Sequence, residues 1–213
     1  MVYQLGADEA GRGPVIGPMV LCALLGDTEK LVSIGVRDSK QLSEERRNAI
    51  FRSLGSISSW RISVVWPEEI DMAVAHSSLN RLELLHFASL IRHFDSEVAF
   101  VDAPDVDCKR FSAEMCRITG RKVVAEHRAD IRYPAVSAAS IVAKVTRDRI
   151  ISEIAEELGE DIGSGYPGDS ATIDFISSYV RKNGVLPPYC RRSWETSKRI
   201  ISFIRIKNLN EFG

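Results

Sequence analysis

Four acidic residues stand at the ends of predicted strands, where they could bind a metal ion. They are Asp8 and Glu9 at the end of the first strand, Asp102 at the end of a short buried strand, and Asp130 between a strand and a long helix. In an open α/β sheet, ligands bind outside the carboxyl ends of the strands, so these side chains converge if the strand ends are neighbours. Clustered carboxylates repel one another unless they are protonated or bridged by a hard cation. The pattern therefore predicts a site for Mg²⁺ or Mn²⁺.

Two observations leave this prediction open. Most acids at strand ends are turn or cap residues, and Asp102 and Asp130 have that alternative. In addition, adjacent residues of a regular strand point to opposite faces of the sheet, so Asp8 and Glu9 reach one site only if the strand bulges or ends there. The glycines at positions 11 and 13 follow at once and make such a departure feasible.

Two glycine-containing turns carry residues able to bind a ligand. In Gly11-Arg12-Gly13, positive φ angles and close backbone approach would let successive N–H groups form a concave site for an anion or a hydroxyl group. A plain hairpin turn, with Arg12 facing solvent, is the alternative. Tyr166, in the turn over residues 164–167, can stack on a sugar or a base, or it can cover the edge of the core.

Small and basic side chains share one face of the predicted helix over residues 134–158. They follow i, i+3, i+7, i+10 spacing and are Ser137, Ser140, Lys144 and Arg147. Small residues beside long basic ones suit the close approach of a polyanion. A helix that packs through its small residues and exposes its cations fits the pattern equally well. Lys40, in a loop before a helix, has the same two interpretations.

The composition is that of an ordinary globular protein. The 213 residues are 45% hydrophobic and 27% charged, which favours one large domain and excludes disordered, collagen-like and disulfide-rich classes. No apolar run approaches the roughly 18 residues needed to span a bilayer. The N-terminus lacks a signal-peptide pattern, so we expect a cytoplasmic protein without a membrane partner. The four cysteines are scattered and the four histidines form no ligand set, so zinc is not expected.

The predicted elements place the acids in a mixed sheet. Two strands with a Gly/Pro turn between them indicate a hairpin, and the later strands alternate with helices, which is typical of the α/β class. The predicted strands cover residues 2–7, 15–25, 61–66, 98–101 and 122–125. The predicted helices cover residues 43–54, 68–75, 79–93, 111–118, 134–158, 169–182 and 193–207.

The net charge of −1 hides an uneven distribution. Residues 181–213 hold eight Lys and Arg against two Glu, a net charge of +6, and the remaining chain carries −7. A basic tail on an acidic body suits a polyanionic partner, although such a tail is more often a solvated helix face.

Six motifs follow one another between residue 8 and about residue 197. They are Asp8-Glu9-Ala10-Gly11-Arg12-Gly13-Pro14, Asp38-Ser39-Lys40, Val101-Asp102, His127-Arg128-Ala129-Asp130, the run from Ser137 to Asp148, and Gly163-Ser164-Gly165-Tyr166-Pro167. Together they closely resemble the ribonuclease HII family, or type 2 ribonuclease H. The compact length, the last of these motifs and Arg191-Arg192-Ser193-Trp194 resemble its archaeal branch.

The resemblance implies a ribonuclease H-like fold, a five-stranded mixed sheet flanked by helices with a helical C-terminal extension. It divides the chain into a catalytic domain over residues 1–182 and an extension over residues 183–213 that packs on the same core. It also implies metal-dependent hydrolysis of the RNA strand of RNA/DNA hybrids. Single ribonucleotides embedded in duplex DNA would be incised on their 5′ side, leaving 5′-phosphate and 3′-hydroxyl ends.

The resemblance further implies roles for twelve residues. The catalytic acids that hold two Mg²⁺ or Mn²⁺ ions in the reacting complex would be Asp8, Glu9, Asp102 and Asp130. The substrate contacts would be Gly11, Arg12 and Gly13 at the ribose 2′-OH, Tyr166 at the junction between ribonucleotide and deoxyribonucleotide, and Lys40, Ser137, Ser140 and Lys144 at phosphates. A backbone site for the 2′-OH would distinguish RNA from DNA without reading sequence.

Two other functions fit parts of the pattern. A non-catalytic module that binds hybrids would lack one of the acids, and all four are present. Ribonuclease HIII normally carries an added N-terminal domain, which we do not expect because Asp8 stands so near the start. We expect a monomer. The C-terminal Leu209-x-x-Phe212 partly resembles a peptide that binds a sliding clamp, without its leading Gln and second aromatic residue.

Overall fold

The computed structural model describes residues 2–36, 42–76 and 78–211, and of residues 205–211 the backbone alone. Within these ranges it has five strands and nine helices. The strands are β1 (Tyr3–Ala10), β2 (Met19–Asp27), β3 (Ser58–Val65), β4 (Val98–Asp102) and β5 (Lys122–Glu126). The helices are α1 (Thr28–Ser33), α2 (Glu44–Leu54), α3 (Pro67–His76), α4 (Leu79–Ile91), α5 (Cys108–Thr119), α6 (Ala129–Arg132), α7 (Pro134–Leu158), α8 (Ser170–Asn183) and α9 (Glu195–Glu211). No helix in the described ranges combines the length and the apolar character needed to cross a membrane.

The strands form one mixed sheet in the order β3-β2-β1-β4-β5. In the antiparallel pair of β1 and β2, Tyr3 lies opposite Asp27 and Ala10 lies opposite Val20. Both β1 with β4 and β4 with β5 are parallel pairs. This topology confirms the predicted five-stranded mixed sheet with flanking helices.

Three elements differ from the prediction. The strand predicted from residue 15 begins only at Met19, because Gly17 has a φ of +86° and Pro18 lacks the N–H group that a strand ladder requires. The short helix α1, which begins after an Asp27 cap, lies outside the predicted helices, as does the single turn α6. Hydrophobic periodicity cannot detect helices of six and four residues, because they contain too few turns to show a pattern.

By their internal contacts the residues group into two compact units. The first consists of Met1–Ala10, Val20–Val64 and Leu79–Thr146, and the second of Gly11–Met19, Val65–Ser78 and Arg147–Gly213. Each unit thus combines segments that are distant in the sequence. The boundary at residue 182, between a catalytic domain and an extension, stays a prediction.

In the first unit, the N-terminal part of α7 lies directly against β1. A Cβ atom on Gly6 would lie 2.2 Å from Val136 N and 2.3 Å from the carbonyl carbon of Ala135, so no side chain fits there. The Gln4 side chain accepts a hydrogen bond of 3.1 Å from Ala135 N, which satisfies one N–H of the first helical turn. These contacts fix α7 on the sheet and bring its side chains beside the end of β1.

In the second unit, main-chain hydrogen bonds fix residues 11–19 to two later segments. Val15 N donates to Gly165 O at 2.7 Å, and Arg191 N donates to Val15 O at 2.8 Å. The side chains of Val15 and Ile16 are fully buried in an apolar core with residues of α7, α8 and α9. The glycine-containing loop that precedes them is therefore attached to a rigid base.

Candidate active site

Three carboxylates meet at one edge of the sheet in the first unit. Asp8, Asp102 and Asp130 each offer one oxygen atom such that these atoms all lie within 4.8 Å of one another. They come from β1, from the end of β4 and from α6. Since β1 and β4 are parallel neighbours, their carboxyl ends share the edge at which such sheets bind ligands. The geometry therefore brings three of the four predicted acids together.

Asp130 follows a backbone turn that sequence analysis missed. Arg128, directly before α6, has a φ of +58°, in the left-handed region that costs a non-glycine residue about 1–2 kcal/mol. Asp102 Oδ1 accepts a hydrogen bond of 3.3 Å from Ala129 N, at the start of α6. This bond links one acid to the helix that carries another. Neither glycine nor asparagine stands at position 128, so the sequence holds no signal for the turn.

The carboxyl group of Asp8 is buried, with 4% of the residue exposed. Burial, followed by the charges of Glu9 and Asp102, raises its pKa well above the ordinary value. Hydrogen bonds from the Ser140 side chain and from Glu9 N, the latter 2.8 Å from Oδ1, lower the pKa but do not cancel the effect of burial. The charged form of Asp8 is therefore unfavourable without a cation beside it.

The donor set suits a hard divalent cation. All three groups offer carboxylate oxygens, the ligands that Mg²⁺ and Mn²⁺ prefer. A cation among them would also compensate the charges that raise the pKa of Asp8. Cys22 lies opposite Asp8 in the register of β1 and β2, but burial raises the pKa of its thiol well above the ordinary value. It therefore offers no thiolate to a softer metal, and the site fits the predicted Mg²⁺ or Mn²⁺.

Glu9 is outside this group of three acids. The pairing of β1 with β2 stays regular through Asp8, Glu9 and Ala10, so the expected bulge or strand end at Glu9 is not found. The chain departs from extended geometry only at Gly11, whose φ is +88°. Alternation along a regular strand directs adjacent side chains to opposite faces, but the carboxylate of Glu9 remains near that of Asp8. Its charge still raises the pKa of Asp8, and its place among the metal ligands stays a prediction.

The side chains on the predicted face of α7 differ in exposure. Ser140 donates to the Asp8 carboxyl group, and Lys144 is half-buried. Ser137 is fully buried, and its Oγ has no hydrogen-bond partner among the described residues. Arg147 is 1% exposed and donates to main-chain carbonyls in the second unit. This face therefore turns two of its four residues inward, and phosphate contacts by the serines and Lys144 stay predictions.

In the second unit, the loop over residues 11–13 lies beside Tyr166. A Cβ atom on Gly11 would lie 2.5 Å from Arg147 Cδ, so both its positive φ and this close approach require glycine. A Cβ atom on Gly13 would lie 3.9 Å from Tyr166 Cε1. Arg147 Cζ lies 5.0 Å from the centroid of the Tyr166 ring, in cation–π contact. The predicted 2′-OH loop and the predicted stacking residue are therefore neighbours.

Arg191 is the main residue that sequence analysis missed. Its side chain is fully buried and donates to the carbonyl oxygens of Gly11, Arg12 and Gly17. The sequence marks it only as part of a segment that resembles the archaeal branch. Nothing in the residue types distinguishes it from Arg192, which is exposed.

Two predicted contacts lie outside the described residues. Lys40 is one of them, and Phe212 of the C-terminal peptide is the other. Leu209 lies in α9, where its backbone alone is described. Their roles stay predictions.

A family model for ribonuclease HII matches residues 5–197 of the chain. A curated ribonuclease HII from Methanocella arvoryzae is 45% identical over 204 residues, which are 93% of this chain and 91% of that relative. The family match extends over the acids, the glycine-containing loop and the segment that contains Arg191.

Solved structures agree with this similarity. The ribonuclease H2 from Pyrococcus horikoshii OT3 is 42% identical with a TM-score of 0.88, and the match covers 96% of this chain and 99% of that chain. The ribonuclease HII from Archaeoglobus fulgidus, solved as a complex with PCNA, is 39% identical with a TM-score of 0.87. That match covers 92% of this chain and 96% of the other.

Replacing Asp8 by Asn should stabilise the protein against unfolding at pH 7 when divalent cations are removed with a chelator. The pKa of Asp8 is higher in the folded state than the ordinary Asp value of about 3.9. At a pH above about 3.9 the wild type therefore binds protons when it folds, and its free energy of unfolding falls as pH rises. Asn carries no charge and avoids that loss. Unfolding midpoints measured from pH 4 to pH 7 should show the gain of Asp8→Asn growing with pH.

Asp105→Asn is the matched control of opposite sign. Hydrogen bonds from Asp107 N, at 2.9 Å, and from Arg110 Nη2, at 2.6 Å, hold the pKa of Asp105 below its ordinary value. Its charge therefore contributes stability at pH 7 that is lost as pH falls through the lowered pKa. Asp105→Asn should lower the midpoint at pH 7. A lower midpoint for Asp8→Asn under the same conditions would contradict the conclusion that the buried charge of Asp8 destabilises the fold when no cation is bound.

Proposed function

The chain belongs to the ribonuclease HII family, and from this premise we propose that it incises duplex DNA on the 5′ side of single embedded ribonucleotides. Cleavage of the RNA strand of RNA/DNA hybrids is the activity of the family, and the proposal adds the embedded ribonucleotide as a second substrate. The products carry 5′-phosphate and 3′-hydroxyl ends. The protein acts as a monomer in the cytoplasm.

The group of three carboxylates, two of them buried, is the observation that carries this proposal. Asp8 and Asp130 are each 4% exposed, and with Asp102 they place oxygen atoms within 4.8 Å of one another. A cluster of this kind is unfavourable for folding, because burial and mutual repulsion oppose its charge. The arrangement becomes favourable when divalent cations bind, as metal-dependent hydrolysis of a phosphodiester requires.

Asp8, Asp102 and Asp130 would hold two Mg²⁺ or Mn²⁺ ions, with Glu9 as the fourth ligand. When bound, such ions activate a water molecule and stabilise the leaving 3′ oxygen in an in-line displacement. The Ser140 side chain and Glu9 N orient the Asp8 carboxylate, and Ala129 N orients that of Asp102. These hydrogen bonds fix the ligand oxygens before substrate binds, which reduces the reorganisation that the reaction needs.

The loop over residues 11–13 would select the ribonucleotide. Main-chain N–H groups of Arg12 and Gly13 can donate to a ribose 2′-OH, the group that distinguishes RNA from DNA at a given position. The Tyr166 ring, beside Gly13, offers a surface for stacking at the junction. The two contacts together require a ribose at a defined position and ignore base identity.

Phosphate contacts would come from Ser137, Ser140, Lys144 and Lys40. Lys144 is half-buried, whereas Ser140 is already hydrogen-bonded to Asp8 and Ser137 is fully buried. Lys144 is therefore better placed than the serines to meet the substrate backbone directly. Contacts of this kind are independent of sequence, and the affinity for duplex should fall as salt concentration rises.

The C-terminus would bind a sliding clamp. The relative from Archaeoglobus fulgidus was solved as a complex with PCNA, and this chain ends in Leu209-x-x-Phe212. Binding to a ring that encircles DNA would hold the enzyme near its substrate and raise its effective concentration there.

A non-catalytic module that binds hybrids is the alternative of a different class. Such a module would have no use for buried acids with an unfavourable charge, because its affinity would come from backbone contacts. The raised pKa of Asp8 thus favours the enzyme.

Asp102→Asn should abolish cleavage of a duplex with one embedded ribonucleotide in Mg²⁺ or Mn²⁺. Removal of a group that is hydrogen-bonded to a metal ligand lowers activity roughly 10- to 100-fold. The loss of activity in Asp102→Asn should be larger, because the substitution removes a metal ligand itself. Gel mapping of the cut site with and without added metal measures the effect. Asp107→Asn is the control, since Asp107 is exposed and caps α5 by accepting from Arg110 N at 3.0 Å, which Asn can also do. Full activity of Asp102→Asn would exclude the metal assignment.

Tyr166→Ala should reduce cleavage at a single embedded ribonucleotide by about tenfold or more, since base–aromatic stacking contributes about 1–3 kcal/mol. Tyr166→Phe keeps the ring and should retain most of the activity. The measurement is kcat/KM on the single-ribonucleotide duplex and on a long RNA/DNA hybrid. An equal loss on both substrates would contradict a stacking role at the junction.

Phe212→Ala and Leu209→Ala should each weaken binding to an archaeal sliding clamp by at least about tenfold, because buried apolar anchors dominate such interfaces. Binding can be measured by calorimetry with the full chain. Phe203→Ala is the control, since Phe203 is another apolar residue of α9 and is 69% exposed. Cleavage of a short duplex in the absence of the clamp should not change. Equal affinity of all variants would place the clamp contact elsewhere.

A further inference from the structure

We infer that Arg191 is a positioning residue that orients the loop over residues 11–13 so that its amide groups face the ribose 2′-OH. This inference rests on the proposed function, under which that loop selects the ribonucleotide. Arg191 itself contacts no substrate, because its side chain is fully buried. It acts through the main-chain carbonyl groups that it binds.

The guanidinium group of Arg191 uses three nitrogen atoms on three carbonyl oxygens. Nη2 donates to Gly11 O at 2.5 Å, and Nη1 donates to Arg12 O at 2.8 Å. Nε and Nη2 donate to Gly17 O at 3.1 and 3.0 Å. One rigid, planar group therefore holds both ends of the turn, which a lysine with a single nitrogen could not do.

A second side chain completes this arrangement. Trp194 Nε1 donates to Gly13 O at 3.1 Å, and its ring lies against Arg191, with 4.9 Å between Cζ and the ring centroid. Three consecutive carbonyl groups of the loop, at residues 11, 12 and 13, are thus bound by Arg191 and Trp194.

The segment that carries these two side chains is itself fixed. The Asp71 carboxylate accepts hydrogen bonds of 2.9 Å from the backbone N–H groups of both Arg192 and Ser193. The Ser197 side chain donates to Arg191 O at 2.7 Å. The base on which the loop rests is therefore rigid on either side of the guanidinium group.

Peptide geometry converts these carbonyl contacts into an orientation of the N–H groups. A trans peptide is planar, so the N–H of each residue points opposite to the C=O of the residue before it. No cis peptide occurs in the described chain. With Gly11 O and Arg12 O turned toward Arg191, the N–H groups of Arg12 and Gly13 point away from it. Pro14 has no N–H, so the row of donors ends at Gly13.

The loop leaves space beside Gly13. Gly13 is exposed, and a Cβ atom there would meet a single neighbour among the described residues within 4 Å, Tyr166 Cε1 at 3.9 Å. The open space beside Gly13 thus borders Tyr166, the residue that would stack on the substrate.

The charge of Arg191 strengthens these donors. Among the described residues its hydrogen-bond acceptors are all main-chain carbonyls, and the charge of the Asp71 carboxylate favours its protonated form without a hydrogen bond to it. A carbonyl that accepts from a cation polarises its peptide unit, which makes the N–H on the other side a stronger donor. Burial, and next the charge of Arg147, lowers the pKa of Arg191 to about 9, so it remains charged at neutral pH.

The test compares Arg191→Met and Arg191→Lys, with Arg192→Met as the control for removing an exposed cation from the same segment. All are made in the Asp102→Asn background, so that the bound duplex is not cut. Fluorescence anisotropy measures the dissociation constants for a duplex with one ribonucleotide and for the same duplex made only of DNA. The ratio of the two constants reports recognition of the 2′-OH, and thermal unfolding reports stability separately.

In the Asp102→Asn background alone, the duplex with one ribonucleotide should bind at least about tenfold more tightly than the all-DNA duplex, because the 2′-OH accepts additional hydrogen bonds from the loop. Arg191→Met should reduce this ratio to near one, Arg191→Lys should give an intermediate ratio, and Arg192→Met should leave it unchanged. If Arg191→Met does not fold, Arg191→Lys carries the test. An unchanged ratio with weaker binding to both duplexes would overturn the positioning role. A ratio of one before any change at Arg191 would instead overturn the proposed function of the loop, and this inference with it.

Discussion

Parallel pairing between β1 and β4 is the constraint on which the candidate active site depends. Leu5, Gly6 and Ala7 pair with residues 99–101, and this register brings Asp8 of β1 beside Asp102, the last residue of β4. A slip of one residue would turn Asp8 to the other face of the sheet. The hydrogen bonds of the ladder thus hold together charges that burial and repulsion would separate. The sheet supplies the free energy for an arrangement that is unfavourable in isolation.

Each of the two units buries ionisable side chains, an acidic one in the first unit and basic ones in the second. In the first, burial raises the pKa of Asp8, and in the second it lowers the pKa values of Arg147 and Arg191. Hydrogen bonds to main-chain or hydroxyl groups offset part of the cost of burial in each unit. For Asp8 they do not cancel it, whereas Arg191 stays charged at neutral pH.

The sequence predicts the parts of this site that depend on local pattern. The apolar runs before Asp8 and Asp102 indicate strands, and the α/β class makes their carboxyl ends converge. The end of β4 lies at Asp102, whereas β1 continues past Asp8 to Ala10. Whether Glu9 joins the three aspartates was not predictable, because that depends on how far the regular pairing of β1 with β2 continues past Asp8. The burial of Arg147 and Arg191 was not predictable either, since their acceptors come from segments far away in the sequence.

Gly6 shows how a residue can govern a site that it does not touch. No Cβ atom fits between position 6 of β1 and the start of α7. Any substitution of Gly6 must therefore displace α7, the helix whose Ser140 donates a hydrogen bond to Asp8. In a mutational scan scored by catalysis, position 6 would show the same intolerance as the acids themselves. Only a parallel score for the amount of folded protein would separate the two classes, so a map of essential positions in this chain is not yet a map of its chemistry.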